Sequence, residues 1–294
     1  MGPYLEGILA LLCINSIAAM GISLLTGFTG IFSLGHAGYM AVGAYTAAIL
    51  SVDYAIHWLP SVLAGGAVAM IVAYLIGIPT LRLMGDYYSI ASLGLGEAIR
   101  LIIENGGKLT NGARGFAGIE PYTTLPVAFA FLVVMGAGVF SLVNSRYGRA
   151  FKACRDDYQA ASLLGIHTAH YRVLSLAISG LFCGIAGALM AGYISFIQPV
   201  MFDSAKSTEL VAIVVFGGLG SMSGSLVGAL ILTMITEVFR AVSQYRMFIY
   251  GLVLVLIMVV RPSGLLGNNE LTPRFIMSLF SRKNKHTAEE GGSQ

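Results

Sequence analysis

Apolar residues form long runs along this chain, and polar residues collect in the short stretches between the runs. A membrane-spanning helix needs about 20 mainly apolar residues, and backbone groups in lipid must be paired within the segment. Hydropathy therefore predicts an all-α polytopic membrane protein with about eight transmembrane segments. The predicted segments are 5–26, 31–52, 58–79, 86–104, 124–144, 173–197, 208–240 and 246–260.

Two of these segments are broken by glycine. Segment 31–52 is cut near Gly35, and segment 208–240, which is too long for one simple span, is cut near Gly218. Paired breaks in the two halves of a chain are typical of repeat-built transporters, in which broken helices lie beside the pathway. Glycine is also common in membrane helices that only pack closely. The pattern therefore leaves an inverted repeat open without requiring one.

The composition agrees with a membrane location and excludes several classes of protein. Of 294 residues, 56% are apolar and only 11% are charged, against about 25% charged residues in an average soluble domain. An ordinary soluble enzyme, a disordered chain and a secreted disulfide scaffold are thereby excluded. The sequence contains no phosphate-binding loop, no HExxH and no nucleophile elbow. We expect no catalytic residue, no metal and no cofactor.

Positive charge predicts the orientation. The polar stretch 145–172 contains four basic residues before Arg172, and five more lie in the C-terminal region from Arg261 onward. Both stretches should face the cytoplasm, which places the N-terminus and the loop 105–122 outside and requires segment 208–240 to re-enter or to cross twice. We expect one membrane domain over 1–267 and a largely disordered cytoplasmic tail over 268–294.

Polar side chains at membrane depth are the candidate pathway residues, because burying them in lipid is costly. Ser33, Gly35, His36 and Tyr39 lie at the first break, and the alternative for His36 is a structural bond to a carbonyl freed by the break. The second break adds Gly217, Gly218 and Gly220 to the candidate pathway.

Charged residues on segment 86–104 allow two interpretations. Glu97, Arg100 and Glu104 are spaced i, i+3 and i+4, so they can pair along one helix face. A proton relay or substrate gate is the functional alternative, and a satisfied ion-pair face is the favoured interpretation.

Small residues recur every four positions at Gly220, Gly224 and Gly228. On one helix, this spacing allows the backbone of another helix to approach closely. We expect a packing interface there.

The order and spacing of several motifs resemble a known family. From about residue 24 to 267 the chain is similar to the membrane permeases of branched-chain amino-acid ABC importers, of the LivM type. The stretches that carry the resemblance are Leu25-Thr26-Gly27-Phe28-Thr29-Gly30, Phe32-Ser33-Leu34-Gly35-His36-Ala37, 43–46, 85–90, 95–100, 111–115, 147–150, 155–157, 216–221 and Arg261-Pro262-Ser263-Gly264-Leu265-Leu266-Gly267.

The resemblance implies a transport subunit of the bacterial inner membrane and no enzyme activity of its own. It implies a translocation pathway for amino acids, first of all leucine, isoleucine and valine, driven by two cytoplasmic ATP-binding subunits. The other implied partners are a homologous permease subunit, forming a heterodimer, and an extracytoplasmic substrate-binding protein. Permeases for urea, amides and other amino acids share the architecture and remain alternatives, and a gradient-driven secondary transporter is the less favoured one.

The resemblance also assigns a role to the cytoplasmic stretch 145–172. Permeases of ABC importers carry a loop of the form Glu-Ala-Ala-xxx-Gly that docks on the ATPase. Residues 159–165 fit that form, with glutamine in place of glutamate. The expected coupling residues are Arg155, Asp156, Asp157, Gln159, Ala160, Ala161 and Gly165.

Overall fold

Nearly all of the regular structure in the computed structural model is helical. The structure describes residues 3–83, 85–238, 251 and 255. The helices are α1 (Pro3–Ser23), α2 (His36–Val52), α3 (Trp58–Thr80), α4 (Asp86–Glu104), α5 (Leu125–Asn144), α6 (Arg146–Asp156), α7 (Tyr158–Leu163), α8 (Thr168–Ile194), α9 (Ser204–Gly217) and α10 (Met222–Val238). A π-helical turn, Leu24–Phe28, continues α1, and 3₁₀ turns occupy Gly112–Arg114 and Pro199–Phe202.

Four stretches of the described residues are long and apolar enough to cross a membrane, which agrees with the expected all-α membrane class. They are Tyr4–Phe28, Trp58–Thr80, Leu125–Asn144 and Thr168–Ile194. Helices α2 and α4 also fall within predicted segments. The predicted segment 246–260 and the tail 268–294 lie outside the described residues, apart from two isolated helical positions.

The two glycine-broken segments differ from simple spans. In the first segment, the helix begins only at His36, and residues 29–35 before it are non-helical. The second divides into α9 and α10, since Gly218 and Gly220 have positive φ angles of 117° and 91° that end a helix. Such angles do not occur within a right-handed helix, and only glycine adopts them readily.

One short element was not expected from the sequence. Phe116 and Ala117 pair antiparallel with Ile197 and Phe196, forming a two-stranded sheet of two residues per strand. The pairing joins the loop after α4 to the end of α8. The left-handed backbone of Ser195 (φ 61°) ends α8 and turns the chain into this pairing.

Helix α8 lies at the centre of the bundle and contacts α1, α2 and α3. A Cβ added at Gly43 of α2 would collide with the backbone of Gly184 in α8. A Cβ at Gly180 would lie 2.5 Å from the Cβ of Ala73 in α3. Small residues therefore set the close approach of these helices, as expected where helices pack without a hydrophobic driving force between them.

The stripe of small residues at the end of the described chain packs within the chain. Gly224 contacts Gly217, and Gly228 contacts the carbonyl of Ile213, so the stripe joins α10 to α9. Gly220 is not on the α10 face, because it lies in the turn before Met222. It makes a close contact elsewhere, against Gly27.

All three cysteines of the chain, Cys13, Cys154 and Cys183, are buried free thiols. Cys154 lies on α6, outside the apolar spans, where burial raises the pKa of its thiol. A raised pKa lowers the fraction of reactive thiolate at neutral pH.

Candidate functional site

The first break in the chain is held by serine side chains of α4. Ser92 Oγ accepts a hydrogen bond from the Leu34 N–H at 3.0 Å, and Ser89 Oγ donates to the Phe32 carbonyl at 2.9 Å. A buried backbone group without a partner costs about 1–3 kcal/mol. The two serines therefore allow a non-helical segment to exist inside an apolar bundle.

His36 begins α2 in a fully enclosed position. Its Nε2 atom lies 2.9 Å from Ser179 Oγ on α8, and the ring contacts Tyr39 edge-on at a centroid distance of 6.1 Å. Ser33, His36 and Tyr39 are all buried. The imidazole Nε2 thus contacts a hydroxyl of α8, whereas the structural alternative named a carbonyl freed by the break. A role of these residues in the pathway stays a prediction.

Helix α9 begins at the same place as α2. The Ala37 N–H, in the first turn of α2, donates to Ser207 Oγ, in the first turn of α9, at 2.9 Å. Both helices therefore start within the bundle, and a side chain of one satisfies a free N–H of the other. The preceding segment, residues 195–203, is a break that the sequence analysis did not single out.

A charged group lies inside the bundle, and the sequence indicated only its glutamate, Glu209, which flanks the second broken segment. Lys206 Nζ lies 3.3 Å from Asn15 Oδ1 and 3.5 Å from Glu209 Oε2, and both charged side chains are only 13–15% exposed. Asn15 lies half-way along the first apolar span. The signal available in the sequence was an amide in the middle of that span and a lysine close to a long apolar run.

The polar groups that surround the start of α9 are named the midbundle cluster. Hydroxyls, an imidazole, an amide and one ion pair come together where two helices begin. The cluster consists of Asn15, His36, Ser179, Lys206, Ser207 and Glu209.

The second break lies at the end of α9, where it contacts the π-helical turn that ends the first span. A Cβ at Gly27, in the π-helical turn, would collide with the backbone N of Gly220. Gly217 in turn contacts Gly224 across the hairpin between α9 and α10. Gly217, Gly218 and Gly220, named together from the sequence, thus lie beside the end of the first span.

The stretch predicted to be cytoplasmic contains two helices, α6 and α7. Asp157 Oδ1 accepts hydrogen bonds from the N–H groups of Gln159 and Ala160, which caps the start of α7. At the end of α7, the Gly165 N–H donates to the Ser162 carbonyl and the Ile166 N–H donates to the Ala161 carbonyl, which together form a Schellman motif. Gly165 has the left-handed backbone angle (φ 82°) that this motif requires. The glycine is thus required by the backbone angle.

Helix α7 presents apolar side chains outward. Ala161 is buried against the bundle, whereas Leu163 and Leu164 are 88% and 82% exposed. Gln159 and Ala160 are exposed beside them. Large apolar side chains exposed next to a capped, rigid helix are typical of a protein-binding surface. The sequence analysis did not single out these two leucines.

Arg155 points into the bundle. Its Nη1 atom donates to the Gly27 carbonyl at 3.1 Å, while Nε and Nη2 contact Asp156 Oδ1 at 3.0 Å. Gly30 leaves room for the side chain, since a Cβ there would lie 2.9 Å from Arg155 Cγ. Arg155 and Asp156 thus connect α6 to the first break, and only Asp157, Gln159, Ala160, Ala161 and Gly165 of the expected set belong to α7 and its caps.

The charged face of α4 is a closed ion-pair group. Arg100 Nε contacts Glu97 Oε1 at 2.7 Å, and Arg100 Nη1 contacts Glu104 Oε2 at 2.7 Å. The pairing predicted from the i, i+3 and i+4 spacing is confirmed.

Comparison with known proteins identifies the family. The model of the family described as "Branched-chain amino acid transport system / permease component" matches residues 4–258, which is most of the chain. The chain belongs to this family. The permease is therefore a membrane component of a transport system, as its sequence motifs indicated, and is not an enzyme.

Individual relatives agree with the assignment. The permease is 32% identical over 293 residues to the high-affinity branched-chain amino acid transport system permease protein LivM of Escherichia coli (strain K12), covering 88% of this chain and 69% of the relative. It is 28% identical to the LivH permease protein of Salmonella typhimurium, covering 87% and 92%. It is 27% identical to the autoinducer 2 import system permease protein LsrC of Yersinia pseudotuberculosis serotype O:1b, covering 65% and 58%. No solved structure matches the chain.

The contact between α2 and α9 makes a prediction about stability. Ser207→Ala leaves the Ala37 N–H without its acceptor in a buried position, so we expect the permease to lose about 1–3 kcal/mol of unfolding free energy. Unfolding in mixed micelles by dodecyl sulfate titration measures this loss. Ser204→Ala, at an exposed position of the same helix, is the control and should change the unfolding free energy by less than about 0.5 kcal/mol. Equal effects of the two variants would contradict the assigned bond.

Proposed function

We propose that this permease forms the translocation pathway for branched-chain amino acids in a bacterial ABC importer. The pathway lies in the inner membrane and is driven by partner ATPase subunits. The observation that carries the proposal is the family match over residues 4–258, together with an ordered, outward-facing α7. The proposed assembly adds a homologous permease subunit, two ATP-binding subunits and an extracytoplasmic binding protein.

The substrate class is supported by the relatives and by the chemistry of the bundle. The LivM and LivH proteins are named as branched-chain amino acid permeases. An aliphatic side chain requires only an apolar route, and the charges of the midbundle cluster neutralise each other. Ser33, Gly35, His36 and Tyr39 with Gly217, Gly218 and Gly220 remain the proposed pathway residues.

An inverted repeat is the topology that we propose. Helices α1–α3 and α8–α10 have corresponding contacts: α3 packs on α8 and α10 packs on α1. In each set the second helix begins inside the bundle after a non-helical segment, and the two second helices meet through Ala37 and Ser207. Two antiparallel units related in this way are typical of transporters with a pathway between the units.

The repeat fits eight spans in one domain over 1–267. The chain enters the bundle from the side where α8 ends, and α9 and α10 together return it to that side. Helix α9 begins level with Asn15, half-way along α1, and its end meets Gly27 near the end of that span. The N-terminus then lies outside and α6, α7 and the tail 268–294 lie in the cytoplasm.

Coupling to ATP hydrolysis is proposed to run from α7 through Arg155. The ATPase would bind the surface formed by Leu163 and Leu164 with Gln159 and Ala160. Movement of α7 would pass to α6, because the two helices contact each other and only one residue, Asp157, separates them in sequence. Arg155 carries it to the Gly27 carbonyl, which lies against Gly220. Both glycine breaks would then respond to one displacement.

The main rival is a gradient-driven transporter with Glu97, Arg100 and Glu104 as its ion-coupling group. The arginine already satisfies both carboxylates at 2.7 Å. Coupling would require the breaking of a charge-assisted pair at every cycle. We therefore favour the ATP-driven function.

Uptake into proteoliposomes tests the function directly. The permease is reconstituted with the proposed partners, which are two ATPase subunits, a second permease subunit and a binding protein. We expect uptake of labelled leucine, isoleucine and valine that requires ATP and is unaffected by excess urea. Uptake by this chain alone, driven by a proton gradient without ATP, would establish the rival function, and inhibition by urea would change the substrate class.

The binding surface on α7 has its own test. The double change Leu163→Ser and Leu164→Ser removes the exposed apolar area without touching the core, so the permease should insert normally. We expect it to retain less than about a tenth of the bound ATPase in co-purification, since a central apolar contact contributes about 2 kcal/mol or more to an interface. Leu109→Ser, exposed in the loop at the opposite end of the bundle, is the matched control. Full ATPase retention by the double variant would exclude α7 as the binding surface.

Transmission through Arg155 predicts a different loss. Arg155→Lys keeps the charge but cannot bind Asp156 and the Gly27 carbonyl together. We expect the ATPase to stay bound and to hydrolyse ATP while leucine uptake falls about tenfold, within the usual range of a coupling free energy. Arg149→Lys, exposed on the same helix, should transport normally. Unchanged uptake by Arg155→Lys would exclude this route.

A further inference from the structure

A pocket of about 450 Å³ lies between the ends of two spans and the start of α7. Helix α3 contributes its last turns, α8 its first turns, and α7 its first residue, Tyr158. The pocket is at the end of the bundle that carries α6 and α7, the end that the charge pattern assigns to the cytoplasm. Its lining residues are Tyr74, Ile78, Leu81, Arg82, Tyr158, Thr168, Ala169, His170, Arg172 and Val173.

The pocket has uncompensated positive charge. Arg82 follows α3 and Arg172 lies in the second turn of α8. Neither arginine forms an ion pair with a carboxylate among the described residues, and none of the residues that line the pocket is acidic. Two guanidinium groups that face one space without a counter-ion favour an anion, and their planar donors suit phosphate oxygens.

An apolar helix face leads directly to these charges. The outward face of α3 is made of exposed aliphatic side chains at helical spacing: Leu63, Val68, Ile71, Leu75 and Ile78. Since α3 is one of the four stretches long and apolar enough to cross a membrane, this face is suited to contact with lipid acyl chains. Ile78 belongs both to this face and to the pocket.

Two tyrosines complete the arrangement. Tyr74 on α3 and Tyr158 on α7 line the pocket beside the arginines and are 41% and 38% exposed. Tyrosine is enriched at the level of lipid headgroups, where its ring meets the apolar layer and its hydroxyl meets water. The aliphatic stripe, with Tyr74 beside its last turns, thus leads to Tyr158 and the two arginines at the end of the bundle that carries α6 and α7.

We propose that this pocket binds the phosphate headgroup of an anionic phospholipid from the cytoplasmic leaflet. Arg82 and Arg172 hold the phosphate, and an acyl chain lies along α3. Basic pockets between helices on the cytoplasmic side are known to bind such headgroups. The aliphatic stripe on α3 favours a lipid over a free phosphate ion. Because Tyr158 is the first residue of α7, the lipid would contact the element on which ATPase binding is proposed to depend.

Native mass spectrometry of the full-length permease, released from nanodiscs with its partner subunits, tests the site. The discs contain phosphatidylcholine with increasing phosphatidylglycerol. We expect wild type to retain phosphatidylglycerol in preference to phosphatidylcholine. The double change Arg82→Gln and Arg172→Gln should weaken retention at least tenfold, because each basic residue near a membrane surface contributes about a factor of five to anionic lipid binding. Arg146→Gln with Arg149→Gln removes the same charge from exposed positions of α6 and should retain lipid as wild type does.

Equal loss in the two double variants would mean general surface attraction and would overturn the site. Displacement of phosphatidylglycerol by millimolar inorganic phosphate would assign the pocket to a soluble anion instead. Should the first double variant fail to fold, Arg82→Gln alone, at an exposed position after α3, must still lower retention severalfold. Lipid retention does not depend on the transported substrate, so the result is independent of the proposed function.

Discussion

The structure depends on how backbone groups are satisfied where two helices begin inside an apolar bundle. Water is not available there to bind free N–H and C=O groups, so each break must be satisfied by protein. Serines 89 and 92 hold the first break, and Ser207 binds the N–H of Ala37. Since Ser207 lies in the first turn of α9, the start of α2 depends on the start of α9. The bond that satisfies the Ala37 N–H thus also joins α2 to α9.

Close contacts between glycines occur both in the centre of the bundle and at the hairpin between α9 and α10. Helices α2, α3 and α8 are packed backbone to backbone and resist small rearrangements. The hairpin between α9 and α10 touches the first span through Gly27 and Gly220, with no side chain between them. Arg155 of α6 donates to the carbonyl of Gly27, one of the two residues in this contact. Displacement of that element would thus act on the contact itself.

Much of the fold could be predicted because lipid imposes simple rules on sequence. The boundaries of α3, α4 and α5 lie within a residue or two of the predicted ones, since length and hydropathy determine a simple span. The ion pairs of Arg100 followed from helical spacing alone. The family was evident from ordered motifs that include the glycines at 27, 35 and 217.

Other parts could not be predicted because their cause lies far away in sequence. The bond from Ala37 to Ser207 spans 170 positions, and no local pattern indicates it. Residues 195–203 contain no glycine, so the break before α9 had no signal of the type that exposed the first break. The exposed Leu163 and Leu164 looked like ordinary helix formers, because sequence alone does not tell which face of a six-residue helix is buried.

The buried state of all three cysteines has a practical consequence for studies of movement. Thiol-specific dyes and spin labels would find almost nothing to modify on the folded subunit, because all three thiols are buried and burial also raises the pKa of Cys154, which disfavours its reactive thiolate. The chain with its natural cysteines should therefore give little background labelling in spectroscopic experiments. A label attached to a cysteine introduced at the surface could be observed without first replacing the three buried cysteines.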